Sequence, residues 1–145
     1  MRRTDWLIVF LAPLSSATEA LDPIRIQKGM FYFSRKASVP SSELYKFDPY
    51  YYGPCSFRIY SDIDTLVSEG LVERVPVQGQ SWSRYKLTAE GKMRAEELIE
   101  SAPEKALRVC RSARARVIRH SFRNLLQEVY RDYPEYATKS IADLP

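Results

Sequence analysis

The sequence predicts a mainly α-helical fold carrying one small β-hairpin, and three observations predict it. Apolar residues recur at helical spacing through most of the chain. Two short alternating runs, residues 71–75 and 82–87, stand on either side of a polar Gln78-Gly79-Gln80-Ser81 turn region. Proline, glycine and N-cap residues fall where those elements should begin and end. At 145 residues with 45% apolar content, the chain can bury a core and is too short for two full domains. We divide it into a domain over residues 1–100 and a helical extension over residues 101–145 that packs or dimerises.

The apolar run Trp6-Leu7-Ile8-Val9-Phe10-Leu11-Ala12 is read as the first helix, ending before Pro13. With Arg2-Arg3 ahead and Ser15-Ser16-Ala17 behind, it also has the order of a secretory signal. Asp5 interrupts that pattern and the run is short, so helix one is preferred. Asp22 and Pro23 then supply an N-cap and a first helical residue for a second helix through Arg35, and residues 36–43 are a loop. Gly53-Pro54 places a proline at the start of a third helix, where its missing N–H costs nothing. Ile59, Tyr60, Ile63, Leu66 and Val67 form the buried face of that helix, and Arg58, Ser61, Asp62, Thr65 and Glu69 its outer face. Gly70 is its left-handed stop. After the hairpin, Thr88 caps a fourth helix and Glu90 favours its first turn. Val109, Cys110, Ala113 and Val117 mark the apolar side of a long helix beyond it. Leu125, Leu126, Val129, Tyr130, Tyr133 and Tyr136 form a sticky face, and Pro134 bends or restarts the helix there. Helices followed by a hairpin and a further helix, in this order, make a winged helix-turn-helix plus a long C-terminal helix.

The segment DIDTLVSEGLVERVPV…SRYKLTAEG, residues 62–91, resembles the recognition helix, strand, wing and following helix of PadR-like and MarR-like winged-helix proteins. Upstream, RIQKGMFYFSR (residues 25–35) and YYYGPCSFRIYSDID (residues 50–64) are similar to the Panacea (SocA-like) domain, with its glutamine-lysine helix and YGP turn. PadR-like relatives are mostly transcriptional repressors whose helices after the wing build a homodimer. Panacea-type domains occur as antitoxins and proteolysis adaptors. The resemblance therefore implies either activity.

Charge is unevenly placed. Net charge is +4, yet residues 1–100 hold 13 Lys/Arg against 13 Asp/Glu, and residues 101–123 hold seven cations against Glu104 alone. On one continuous helix Arg108, Arg116, Arg119 and Arg123 fall within an arc of roughly 80°. That stripe is either a phosphate footprint or a solvated face opposite a packing side. The concentration of Tyr45, Phe47, Tyr50, Tyr51, Tyr52, Phe57 and Tyr60 can stack bases or wedge helices two and three together. With only Lys46 and Arg58 interleaved among them, wedging is preferred. Asp62, Asp64 and Glu69 on the third helix oppose DNA, since they repel phosphates.

Nothing in the chain assembles a reaction: no zinc spacing, phosphate loop or nucleophile elbow is present. His120 is read as a surface residue. We expect no enzyme, no cofactor and no metal. Two unpatterned cysteines fit a reducing cytoplasm, and no apolar stretch is long enough to span a membrane.

The preferred reading is a dimeric regulator that binds double-stranded DNA. Ser56, Arg58, Ser61 and Thr65 then lie near bases, and Gln80, Trp82 and Arg84 form the reading edge of the wing. Arg108, Arg116, Arg119 and Arg123 lie near phosphates. The alternative is an antitoxin-like or adaptor module whose acidic helix and aromatic patch bind a protein partner such as a toxin.

Overall fold

The computed structural model describes residues 1–14, 20–142 and 144, so Ser15-Ser16-Ala17 of the signal-like pattern lie outside the described residues. The chain runs α1 (Arg3–Leu11), α2 (Pro23–Lys36), β1 (Asp48–Tyr50), β2 (Gly53–Cys55), α3 (Phe57–Ser68), β3 (Val72–Pro76) and β4 (Ser83–Leu87). It continues through α4 (Ala89–Ser101), α5 (Glu104–Ile118) and α6 (Phe122–Asp132), with 3-10 turns at Ser41–Glu43 and Pro134–Ala137. The mainly α fold with a small hairpin is as expected and is compatible with a winged-helix-like arrangement. β3 and β4 pair antiparallel from Val72 opposite Leu87 to Pro76 opposite Ser83. Among the described residues no helix is long and apolar enough to cross a membrane.

Two helices form the centre. In α1 every residue from Asp5 to Leu11 is buried, which is what a helix apolar all round requires. α2 starts on its Asp22–Pro23 signal, the Asp22 carboxylate accepting from the Arg25 N–H at 2.9 Å, and Ile26 to Phe33 are buried without a break. One apolar cluster extends from Trp6 and Phe10 through Phe31, Ile59 and Leu98 to Val117, Leu125 and Val129. The face expected to be sticky, around Leu125, Leu126 and Val129, is thus filled by the chain's own core. Tyr133 and Tyr136 pack edge-on against Phe31, with ring centroids 4.9 and 4.8 Å away.

Two local expectations are corrected. Gly53-Pro54 does not open a helix: it belongs to β2, which pairs with β1 so that Pro49 faces Pro54 and Tyr50 faces Gly53. Tyr51-Tyr52 form the turn, and Gly53 follows it at φ +88°, a backbone state that glycine alone adopts freely. α3 starts three residues later than Pro54, after Ser56, because side chains from α2 hold the backbone of β2 and Ser56 extended. The long C-terminal helix is also interrupted. Ala102-Pro103 separates α4 from α5, and Arg119 to Ser121 separates α5 from α6, where the Ser121 hydroxyl accepts from the Asn124 N–H at 3.2 Å. Arg123 therefore lies on a different helix from Arg108 and Arg116, and the single stripe does not exist.

Other arginines of that run are structural. Arg114 is 1% exposed and donates to the Phe10 carbonyl at 2.8 Å, capping the last turn of α1. Arg116 lies over the Tyr32 ring at 3.9 Å, pairs with Glu128 and reaches Asp132 at 2.9 Å. His120 is half-buried, with Nε2 2.8 Å from Glu128, so it joins this network rather than the open surface.

Gly91 opens α4 beneath the backbone: a Cβ there would stand 2.0 Å from the Leu71 carbonyl oxygen. Alanine normally favours a helix over glycine by about 1 kcal/mol. Here Gly91→Ala should instead lower stability by about 2 kcal/mol, because the neighbour is main chain and cannot rotate away; urea unfolding measures it, and a stabilised variant would contradict the packing. Arg116→Ala should cost about 1.5–2 kcal/mol, by leaving Glu128 to His120 and Asp132 to Arg131 and uncovering Tyr32. In the same titrations the exposed Arg119→Ala should stay within about 0.5 kcal/mol of the parent.

Candidate functional site

The start of α2 is a junction. The Arg25 guanidinium pairs with Asp22 and donates to the Val117 and His120 carbonyls at 3.2 and 2.7 Å, satisfying the end of α5. Leu21 and Tyr85 exchange backbone hydrogen bonds of 2.9 and 2.8 Å, which fixes the β3–β4 wing beside α2. One turn further along, the Gln27 amide donates to the Ser56 carbonyl and accepts from the Ser56 N–H, both at 2.9 Å. Lys28 Nζ donates to the Pro54 carbonyl at 2.9 Å. These bonds fix the β1–β2 hairpin on the other side.

Between the two hairpins lies a cleft of about 590 Å³. Among the described residues six aromatic side chains are exposed: Tyr51, Tyr52, Phe57, Tyr60, Trp82 and Phe122. Five of them line this cleft, and Phe57 adjoins it, its ring 5.0 Å from that of Tyr50. Tyr50 stacks on Tyr51 at 4.3 Å, and Tyr52 meets Phe122 edge-on at 5.5 Å. The expected aromatic patch therefore divides. Tyr45 and Phe47 wedge inward: Tyr45 is buried and donates to Asp62 at 2.7 Å, while Phe47 packs edge-on against Phe31. The other five remain at or beside the surface of the cleft.

The cleft is net positive. Lys28, Arg25 and Arg84 line it against Asp22, which Arg25 already engages. Lys28 is 2% exposed, and burial lowers its ammonium pKa from 10.5 to about 8. The neighbouring Cys55 thiol is pushed up by burial, and burial also pushes the Tyr60 phenol up to about 12. Lys28 and Phe122 carry no signal as site residues in the sequence, and Tyr60 belongs to the aromatic patch but also to the buried face expected of α3. Lys28 sits in a strongly apolar helix, Tyr60 carries the spacing of a core residue, and Phe122 lies in an arginine-rich stretch. The dense tyrosines of residues 50–52 were the legible signal.

The expected DNA-contacting residues are dispersed. Ser56 is 5% exposed and held by Gln27, so it does not reach a base. Arg58 is exposed but binds Asp62 at 3.1 Å; the Ser61 and Thr65 hydroxyls are exposed and donate to the carbonyls of Arg58 and Ser61. Gln80 is exposed at the tip of the wing, and Trp82 and Arg84 come together on the cleft wall. Arg108 approaches Glu104 at 3.9 Å, Arg116 is engaged inside the fold, and Arg119 and Arg123 are exposed. Asp62, expected on the outer face, is 8% exposed and satisfied by Tyr45 and Arg58. Asp64 pairs with Arg74 at 2.6 Å.

Because the folded Lys28 pKa of about 8 lies below 10.5, the unfolded chain holds a proton between those values that the folded chain has released. Stability from this group must therefore rise with pH from about 8 toward 10.5. Thiols and phenols with raised values oppose the rise, so the comparison with Lys28→Met isolates it. Between pH 7.5 and 9.5 the parent should gain about 1–2 kcal/mol relative to Lys28→Met in urea unfolding, and parallel pH profiles would show that Lys28 is not a buried cation.

No protein-family model matches this chain, and no curated protein matches it either.

Proposed function

We propose that this chain is a non-catalytic protein-interaction module on a winged-helix-like frame, with the aromatic cleft as its binding surface. The observation that carries this reading is the gathering of the six exposed aromatic side chains on one face, five of them in one cleft. These rings are 38–61% exposed, so each forgoes roughly half of the about 1.5–3 kcal/mol that full burial supplies. Grouped tyrosine and tryptophan side chains with an arginine at the edge are the composition of a protein-binding hot spot. An antitoxin-like or adaptor role, with a toxin or client protein as partner, fits this surface. Cys55 and Cys110, both buried free thiols, support a reducing cytoplasm as its compartment.

A second reading retains double-stranded DNA as partner. It is favoured by the neutralisation of Asp62 and Asp64 by Arg58 and Arg74, which removes much of the repulsion expected at α3. Ser61, Thr65, Gln80 and Arg84 then form the contact set, with Arg119 and Arg123 on phosphates. It ranks second because Arg114 and Arg116, the centre of the basic run, are engaged inside the fold.

Photocrosslinking in cells separates the two. A benzophenone side chain at position 82 or 52 should trap one reproducible protein partner, and one at exposed Met93 on α4 should not. Tyr52→Ala with Trp82→Ala should weaken that partner at least about 30-fold, whereas Arg119→Gln with Arg123→Gln should change it less than about threefold. Enrichment of one genomic DNA site that depends on Arg84, Arg119 and Arg123 and weakens steeply with salt would reverse the ranking.

A further inference from the structure

Lys28 is a buried cation lacking a buried anion. Its side chain is 2% exposed, its hydrogen bond goes to the neutral Pro54 carbonyl, and among the described residues no carboxylate lies within ion-pair distance of it. An ammonium has three donors, and buried charges are ordinarily paired. Among the described residues Arg114 is also buried and Arg116 half-buried, and both are provided for differently. Arg116 has two carboxylates and a ring face. Arg114 caps a helix end away from the cleft. Lys28 alone of these lines the aromatic cleft.

We propose that the cleft seats a carboxylate of a partner protein segment on Lys28, with the apolar side chains flanking that carboxylate packed against Tyr52, Tyr60, Trp82 and Phe122. This rests on the protein-interaction reading and specifies the chemistry of the partner. Charge complementarity supports it: Lys28 and Arg84 meet no carboxylate of the cleft that is not already engaged, since Asp22 is held by Arg25. Size supports it as well, because about 590 Å³ falls within the roughly 300–1,000 Å³ of sites that enclose an organic group rather than a lone ion. A carboxylate is favoured over a phosphate because the aromatic walls suit the apolar side chains that flank a carboxylate in a peptide. A nucleic-acid backbone needs a succession of cations, which this cleft lacks.

The first probes are N-acetyl-Trp-Leu as the free acid and as its carboxy-terminal amide, titrated into the full chain while NMR follows the Lys28 Cε–Hε and Trp82 indole signals. The acid should shift both signals and bind at least about tenfold tighter than the amide, the range of one charge-assisted hydrogen bond. Lys28→Met should abolish the preference for the acid over the amide. Should that variant fail to fold, the acid–amide comparison on the parent protein still decides. Equal affinity of acid and amide, or no shift with either, overturns the carboxylate seat without touching the aromatic surface, which is tested by the crosslinking variants. A thymidine dinucleotide that binds tighter than the peptide acid, with the same dependence on Lys28, overturns the protein partner in favour of nucleic acid.

Discussion

The arrangement of the cleft depends on one buried polar clamp: Gln27 and Lys28 of α2 holding the backbone from Pro54 to Ser56. α2 passes through the core with Ile26 to Phe33 buried, so two polar side chains there must find partners or cost several kcal/mol. They find them in a short hairpin whose paired prolines, Pro49 and Pro54, have no N–H to give to a ladder. A strand pair of three residues is marginal by itself. The clamp supplies its anchoring, and with it the position of Tyr50, Tyr51 and Tyr52 and the start of α3. Removing either partner leaves the other buried without a bond, which makes this contact a determinant of geometry more than a source of net stability.

Much of the fold was legible because local signals and packing agree. Asp22-Pro23, Thr88 and Gly70 delimit elements as their chemistry suggests, and Gly70 has φ +77°. Ile59, Ile63 and Leu66 of α3 and Cys110, Ala113 and Val117 of α5 are buried as their spacing indicates. The failures occur where a distant side chain overrides a local preference. Pro54 carries a valid helix-start signal, yet residues some 26 to 29 positions earlier claim the backbone around it. Asp62 has the type of an exposed residue, but Tyr45 and Arg58 make its burial tolerable. Arg58, one turn earlier on the same helix, can be inferred from spacing along α3; Tyr45, 17 positions earlier, cannot.

The arginine run shows the same limit in electrostatic form. Summed along the sequence, residues 101–123 look like a basic surface, and formal charge is what a helical wheel displays. In the fold the run is divided by Ser121 and distributed among unlike tasks. Arg114 caps α1, Arg116 covers Tyr32 and pairs with α6, and Arg108 approaches Glu104 across one helical turn. Exposed charge, not formal charge, sets long-range attraction for a polyanion. Here Arg114 and Arg116, at the centre of the run, are withdrawn from it, and Lys105, Arg108, Arg111, Arg119 and Arg123 remain exposed.

The aromatic cleft and the surface through which a winged helix would contact DNA are adjacent and share the wing, where Trp82 precedes β4 and Arg84 lies on it. A partner seated in the cleft would therefore cover Arg84, and a duplex engaging the wing would crowd the cleft. The two readings differ in which contact came to dominate one region of surface, and the energetic asymmetry favours the cleft. Rings already gathered around a concavity gain burial from a partner without ordering new backbone, since their positions are set by the Gln27–Lys28 clamp and the Leu21–Tyr85 bridge. Ser61 and Thr65, by contrast, already donate their hydroxyls to their own helix and offer only acceptor positions, and Arg58 is drawn to Asp62 through Nε. Contact with DNA by α3 would compete with bonds already made, whereas occupation of the cleft would add new ones.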